Sequence, residues 1–183
     1  ASAAAVPLLG LAGTLLGYVN ARRTARVVTI EIPIAGLPPA LHGFRIVQIT
    51  DIHVGPTIGE RYVEAIVEAV NRLKPDLVAI TGDLVDGGVI ELARHVAPLQ
   101  RLVSRHGSFF VTGNHEYYSG AGPWLHELRR LGMQVLINEH VVLRHEGAAL
   151  VLAGVPEFTG HHFDPAHGSD PAAALRGAPQ DAV

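Results

Sequence analysis

Three stretches of this 183-residue chain run apolar and then break into polar chemistry: FRIVQITDIH at 44–53, DLVAITGDLVD at 76–86 and FFVTGNHEYY at 109–118. Each reads as a buried β-strand whose carboxyl end carries Asp, His, Asn or Glu. Asp83 follows Asp51 by 32 positions and Asn114 follows Asp83 by 31. Each interval fits one strand–helix–strand crossover, so neighbouring parallel strands would bring the three clusters to one rim of a sheet, where ligands of such sheets gather. A single Asp or Asn at a strand end is usually a turn former. Three such ends in register call for another reason.

The remaining pattern supports this arrangement. Residues 44–50, 77–81 and 109–112 read as strands. So do 133–137, 141–144 and 150–155, while Val27 to Ile34 alternates like an edge strand before breaking at Gly36-Leu-Pro38-Pro39. Val63, Ile66, Val67, Val70 and Leu73 recur at helical spacing, with Pro75 closing that helix. A second helix is expected over 89–105, interrupted or kinked by Pro98, a short one over Trp124–Leu131, and a helical turn in DPAAALRG. Strands alternating with helices argue for a layered α/β fold with a partly parallel sheet.

The chain has no cysteine, so disulfides, thiolate metal sites and cysteine nucleophiles are excluded. A net charge of −3 without blocks of like charge leaves no electrostatic footprint for nucleic acid, which is not an expected partner. Hydrophobic content of 48% is high and concentrates at the front, where residues 1–21 carry no charged side chain. About 20 apolar residues span a bilayer. This segment reads as a membrane helix or signal anchor, the alternative being a remnant of a secretory signal. Arg22, Arg23 and Arg26 follow it and favour a cytoplasmic side for what comes next. Gly13 and Gly17 match a small-xxx-small helix contact. The expected organisation is an apolar helix over 1–21, a connecting segment with an edge strand over 22–43, and a catalytic domain over 44–183.

Carboxylate, imidazole and amide oxygen are the donors that divalent Mn, Fe or Zn accept. Gly82 and Gly113 precede the polar residues and permit a sharp turn and close approach to a ligand. The motifs D-x-H (Asp51, His53), G-D-x-x-D (Asp83, Asp86) and G-N-H-[DE] (Asn114, His115, Glu116) resemble the calcineurin-like metallophosphoesterase superfamily. TDIHVGPTIG, TGDLVDG and VTGNHEYYSG look most like its bacterial branch near UDP-2,3-diacylglucosamine pyrophosphohydrolases. The resemblance implies a layered αββα sandwich with two divalent ions and a metal-bound hydroxide that hydrolyses phosphoester or pyrophosphate bonds. Asp51 and His53 would bind the first ion, Asp83 would bridge both, and Asn114 would bind the second. His115 would lie beside the phosphoryl group as the catalytic residue. Asp86 and Glu116 would support from outside the ligand set, orienting the histidines. The implied substrate is a phosphorylated small molecule or a lipid-linked one such as UDP-2,3-diacylglucosamine. A broad phosphodiesterase and a membrane-tethered, non-catalytic scaffold stand as alternatives.

The family completes its metal shell with a further histidine and a G-H-x-H pair. In Gly160-His161-His162 the second histidine is adjacent rather than two positions on. The expectation is that the later histidine motifs and part of the second sheet lie outside these residues, with a further strand starting near Ala182-Val183. His42, His95, His106, His126, His140, His145 and His167 read as surface histidines, Trp124 as core, and Arg129-Arg130 as helix surface. Tyr117 and Tyr118 either line the mouth of the site or pack against the domain.

Overall fold

The computed structural model describes residues 5–21 and 25–183. The chain divides into two compact units, Ala1–Ile30 and Glu31–Val183.

In the first unit, α1 spans Ala5–Ala21. Its apolar side chains surround the whole helix and its described side chains are almost all exposed. Seventeen residues rise about 25 Å, short of the roughly 30 Å hydrocarbon core. Among the described residues no helix is long and apolar enough to cross a membrane. The expectations for residues 1–4 and for Arg22 and Arg23 fall outside the described residues.

The second unit is built on a four-stranded, all-parallel sheet in the order β1-β2-β3-β4, with β1 Ile46–Ile49, β2 Leu77–Thr81, β3 Ser108–Val111 and β4 Gln134–Val135. Between these strands run α2 (Glu60–Arg72), α3 (Val89–Val96), α4 (Asn114–Tyr118) and α5 (Ala121–Arg130). Alternation assigns the two faces. Val78, Ile80 and Phe110 point into a core with Val63, Ile66, Val67 and Val70 of α2, Leu92 and Val96 of α3, and Trp124 and Leu128 of α5. Leu77, Ala79, Phe109 and Val111 point the other way. There they meet Val141, Leu143, Leu150 and Leu152 of an antiparallel hairpin, β5 Glu139–His145 and β6 Ala148–Gly154. Burial on both faces is why these strands read as continuous apolar runs rather than alternating ones. The short α6, Pro171–Ala174, contacts the hairpin, where His140 Nδ1 lies 2.6 Å from the Ala174 carbonyl oxygen. The order is helices, parallel sheet, hairpin, short helix, a mixed α/β architecture of the expected class.

Two expectations change. No strand forms over 27–34: the segment has no ladder partner among the described residues, and Val28, Ile30, Ile32 and Ile34 are exposed. Alternation alone does not make a strand, because its N–H and C=O groups need a neighbour. The helix expected over 89–105 ends at Val96 and continues as a 3-10 segment, Ala97–Arg101. Pro98 withholds the N–H that would continue the α-helical ladder. Beyond β3, Asn114 opens α4, an element on which the sequence pattern is silent. Val183 lies along the outer edge of β6, donating to Ala149 O at 3.1 Å and accepting from Val151 N at 2.7 Å.

Candidate metal centre

Beyond β1 and β2 the two chain segments stay paired. Asp51 N donates to Gly82 O at 3.3 Å, His53 N to Asp83 O at 3.1 Å and Val54 N to Leu84 O at 2.8 Å, with Val54 and Val85 bridged in parallel. This extension carries a backbone feature that the sequence did not announce. Asp51, His53 and Asp83 have φ of 55°, 52° and 51°, and Gly82 has φ of 82°. The left-handed region is costly for most L residues, and Asp and His are among the few enriched there. Three of the proposed ligands are therefore also residues suited to the bend that aims them.

The third segment arrives by backbone contact. A Cβ on Gly82 would meet the backbone of Gly113 and Thr112, and one on Gly113 would meet the Asp83 carboxylate and the Asp83 N at 2.6 Å. Glu116, fully buried, locks this crossing. Its Oε2 accepts from Asp83 N at 3.0 Å and Gly113 N at 2.7 Å, and its Oε1 accepts from Leu84 N at 2.8 Å. Burial raises the proton affinity of the Glu116 carboxyl, while the three N–H donors pull the other way. The hydrogen bonds of the Glu116 carboxylate among the described residues go to backbone N–H groups, so its supporting role is exercised on the backbone rather than on the histidines.

Asp86 is the group that orients the imidazoles. Its Oδ1 lies 2.9 Å from His53 Nδ1 and 2.6 Å from His115 Nδ1. An ionised carboxylate only accepts, so both rings donate from Nδ1 and each Nε2 is left with a lone pair when the ring is neutral. That is the arrangement by which carboxylates prepare histidines for a metal. The Asp86 hydrogen bond raises the His53 pKa above its ordinary value, against the effect of burial. Burial alone would raise the Asp86 carboxyl, but the two imidazole hydrogen bonds outweigh it and hold the group below the usual carboxylate range.

The side chains converge in two overlapping groups, Asp51–His53–Asp83 and His53–Asp86–His115, each with one ligand atom per residue within 4.8 Å of the others. His53 Nε2 is 3.9 Å from Asp51 Oδ1. Asn114 stands at the rim of the first group. With its nitrogen turned toward Asp83 the amide donates to both carboxylate oxygens at 3.2 Å. With its oxygen there, acceptors oppose one another, an arrangement that a cation between them makes favourable. In the first group the Asp51 and Asp83 carboxylates flank the His53 imidazole, and like-charged carboxylates so placed favour a cation between them. The donor set therefore fits divalent ions of the Mn, Fe or Zn class.

Asp51, His53, Asp83, Asn114, His115 and Asp86 thus share one rim, and Glu116 lies beneath it. His161 and His162 are exposed in a 3-10 turn and belong to neither group. Several histidines read as surface residues are structural. His145 is 6% exposed and pairs with His106 at 2.9 Å, and His167 Nδ1 lies 3.1 Å from the Tyr117 hydroxyl. Tyr117 is buried, whereas Tyr118 is exposed with its ring edge-on to His115 at 5.6 Å. Trp124 is core, its indole N–H bonded to Gly87 O at 2.9 Å. The positive φ values and the contact of His115 with Tyr118 carry no signal in a linear sequence.

The calcineurin-like phosphoesterase family model matches residues 44–173. A bovine "transmembrane protein with metallophosphoesterase domain" is 40% identical over 177 residues, which is 92% of this chain and 40% of that protein. A metallophosphoesterase of Campylobacter jejuni is 33% identical over 142 residues, covering 77% of this chain and 36% of its own length. A UDP-2,3-diacylglucosamine pyrophosphatase of Chlamydia muridarum is 35% identical over 78 residues, covering 42% of this chain and 24% of that enzyme. The chain spans about two fifths of the length of the first two relatives.

Proposed function

The chain belongs to the calcineurin-like phosphoesterase family, whose members work with a dinuclear divalent centre, and from that premise we propose that it carries the metal-binding half of a phosphoester or pyrophosphate hydrolase. The observation that supports this reading is the meeting of Asp51, His53, Asp83, Asp86 and His115 within hydrogen-bonding and ligand reach. Asp51 and His53 would hold one ion, Asp83 would serve both ions, and Asn114 would complete the second site through its amide oxygen without adding charge. When bound, the pair of ions polarises the phosphate oxygens and makes water acidic enough to serve as nucleophile near neutral pH.

The remaining work falls to the protein. Asp86 keeps both Nδ1 protons in place and so presents His53 Nε2 as a donor atom and His115 Nε2 toward the phosphoryl group. Beside the phosphoryl group, His115 would stabilise the transition state or give a proton from Nε2 to the leaving oxygen. Glu116 and the Gly82–Gly113 crossing hold the distances between the segments.

The substrate we favour is UDP-2,3-diacylglucosamine or a related lipid-linked pyrophosphate, supported by the likeness to the Chlamydia muridarum enzyme. We place the protein at a membrane, cytoplasmic side, with residues 1–21 as the attaching segment, 22–43 as connection and 44–183 as catalytic domain. The likeness to the bovine transmembrane protein supports membrane association. A non-catalytic scaffold of the same fold is the second reading.

Full-length protein with Mn²⁺, assayed on UDP-2,3-diacylglucosamine and on bis-p-nitrophenyl phosphate, decides among these readings. Turnover of the lipid well above the generic ester is expected. Equal rates would leave a broad phosphodiesterase, and no turnover with metal bound would leave the scaffold. Asp83→Asn should abolish turnover and release at least one ion by elemental analysis; unchanged stoichiometry and rate would refute the bridging role.

A further inference from the structure

Exposed aromatic side chains cluster beside His115. Tyr118, whose ring meets His115 at 5.6 Å, is 65% exposed, and its ring meets Phe163 at 5.7 Å with planes 66° apart. Phe163 is 53% exposed and stacks at 5.5 Å on the buried Tyr117. Leaving two rings in water costs hydrophobic free energy, yet the loop that carries Phe163 is firmly held. Gly160 packs so closely on the Tyr117 ring that a Cβ would meet its hydroxyl oxygen at 2.6 Å. That hydroxyl lies 3.1 Å from both Thr112 Oγ1 and His167 Nδ1, and Asn138 Nδ2 donates to Gly168 O at 2.7 Å. The rings are therefore displayed on a fixed frame.

Behind Phe163 opens a groove of about 430 Å³ lined by Tyr117, Leu125, Phe163, Arg129, Asp164 and His167 among others. Its lining is mixed: Tyr117, Ala121, Leu125 and Phe163 supply an apolar strip, and Arg129, Asp164 and His167 supply polar groups. Arg129 and Asp164 put one cation and one anion into this lining, so their formal charges cancel and neither sign of ligand is singled out. Asp164 is also engaged locally, its Oδ1 accepting from Ala166 N at 2.9 Å. The angle between Tyr118 and Phe163 denies a nucleobase one flat plane, whereas a flexible chain can follow two tilted walls.

We propose that Tyr118, Phe163 and the groove beyond them form the subsite for an uncharged alkyl or acyl chain on the organic side of the phosphoester. The inference rests on the hydrolase reading above and adds to it the residues that select the substrate. Tyr118 guides the chain away from the reacting phosphorus, and Phe163 and Leu125 cover it. None of the three touches the reacting atoms; they set specificity.

The test uses full-length protein loaded with Mn²⁺ and three diesters that release the same p-nitrophenol: methyl, octyl and thymidine-5′ p-nitrophenyl phosphate. The octyl ester should exceed the methyl ester in kcat/KM by roughly tenfold, mainly through KM, as burial of added methylenes predicts. Phe163→Ala should bring that ratio close to one and Phe163→Leu should keep most of it. A ratio that survives Phe163→Ala, an absent ratio in the wild type, or a gain for the thymidine ester alone overturns the proposal. Calorimetry on metal-free protein separates this from the reading beneath it. Octylphosphonate should bind more tightly than methylphosphonate in the wild type and equally weakly in Phe163→Ala. If no ester is hydrolysed the hydrolase reading fails, and the calorimetric difference still decides for or against the groove.

Discussion

At Gly113 one hydrogen atom stands where any side chain would strike the Asp83 carboxylate. Gly113→Ala must push Asp83 off position, so we expect metal binding to weaken at least tenfold while the far-UV spectrum stays unchanged. Asp86→Asn makes a different cut. The amide can accept from one imidazole but no longer fixes both with an ionic acceptor, and losing such an outer partner typically costs 10–100-fold in metal affinity. Titration calorimetry with Mn²⁺ reads both variants. Glu116→Ala should leave three N–H groups, those of Asp83, Leu84 and Gly113, without their acceptor. Unsatisfied buried donors cost about 1–3 kcal/mol each, so the urea midpoint should fall even in metal-free protein. A midpoint matching the wild type would remove Glu116 from the frame.

At the scale of elements, the β5–β6 hairpin meets the parallel sheet through an imidazole pair. His106, just before β3, lies 2.9 Å from His145 at the end of β5. Phe44 packs on both rings, Arg105 Nη1 lies 3.4 Å from His145 Nε2 and 3.2 Å from Glu146, and Asp76 is 3.9 Å from His145. Burial first, then the His145 and Arg105 charges, lower the His106 pKa, with Asp76 opposing. A histidine depressed in the folded state is protonated more readily after unfolding. Its contribution is therefore full above about pH 6.5 and lost as pH falls through the lower folded value. His106→Gln should flatten this part of the pH dependence of stability relative to wild type, measured as urea midpoints between about pH 5 and 7.5. Identical slopes would mean the pair does not titrate with folding. The sequence could not show this contact, because the two histidines are 39 positions apart and each by itself resembles a turn residue. The three strand ends were legible because equal crossover lengths and double-sided burial leave marks on a linear pattern. Val27–Ile34 was misread because alternation records an amphipathic ribbon without recording whether a partner exists. The start of α4 was hidden because Asn114 is as much at home in a turn as in a first helical position.

Taken whole, the chain has two compact units, Ala1–Ile30, in which α1 covers Ala5–Ala21, and Glu31–Val183. α1 is apolar all round, the profile of a helix destined for an apolar environment. We expect the protein to sediment with phospholipid vesicles and deletion of residues 1–30 to release it. Mn²⁺ binding should be unchanged by that deletion, since every proposed ligand lies after residue 50. Retention of the shortened protein on vesicles would move the membrane contact into the second unit.

The left-handed bends at Asp51, His53 and Asp83 bear on how such a centre tolerates mutation. Its aim is written in main-chain angles, which Asn adopts about as readily as Asp. The charge of the centre can therefore be edited one carboxylate at a time while the scaffold keeps its shape. Valine or isoleucine at the same places would damage the bend along with the chemistry, so drift at these positions is channelled toward a small alphabet of polar residues.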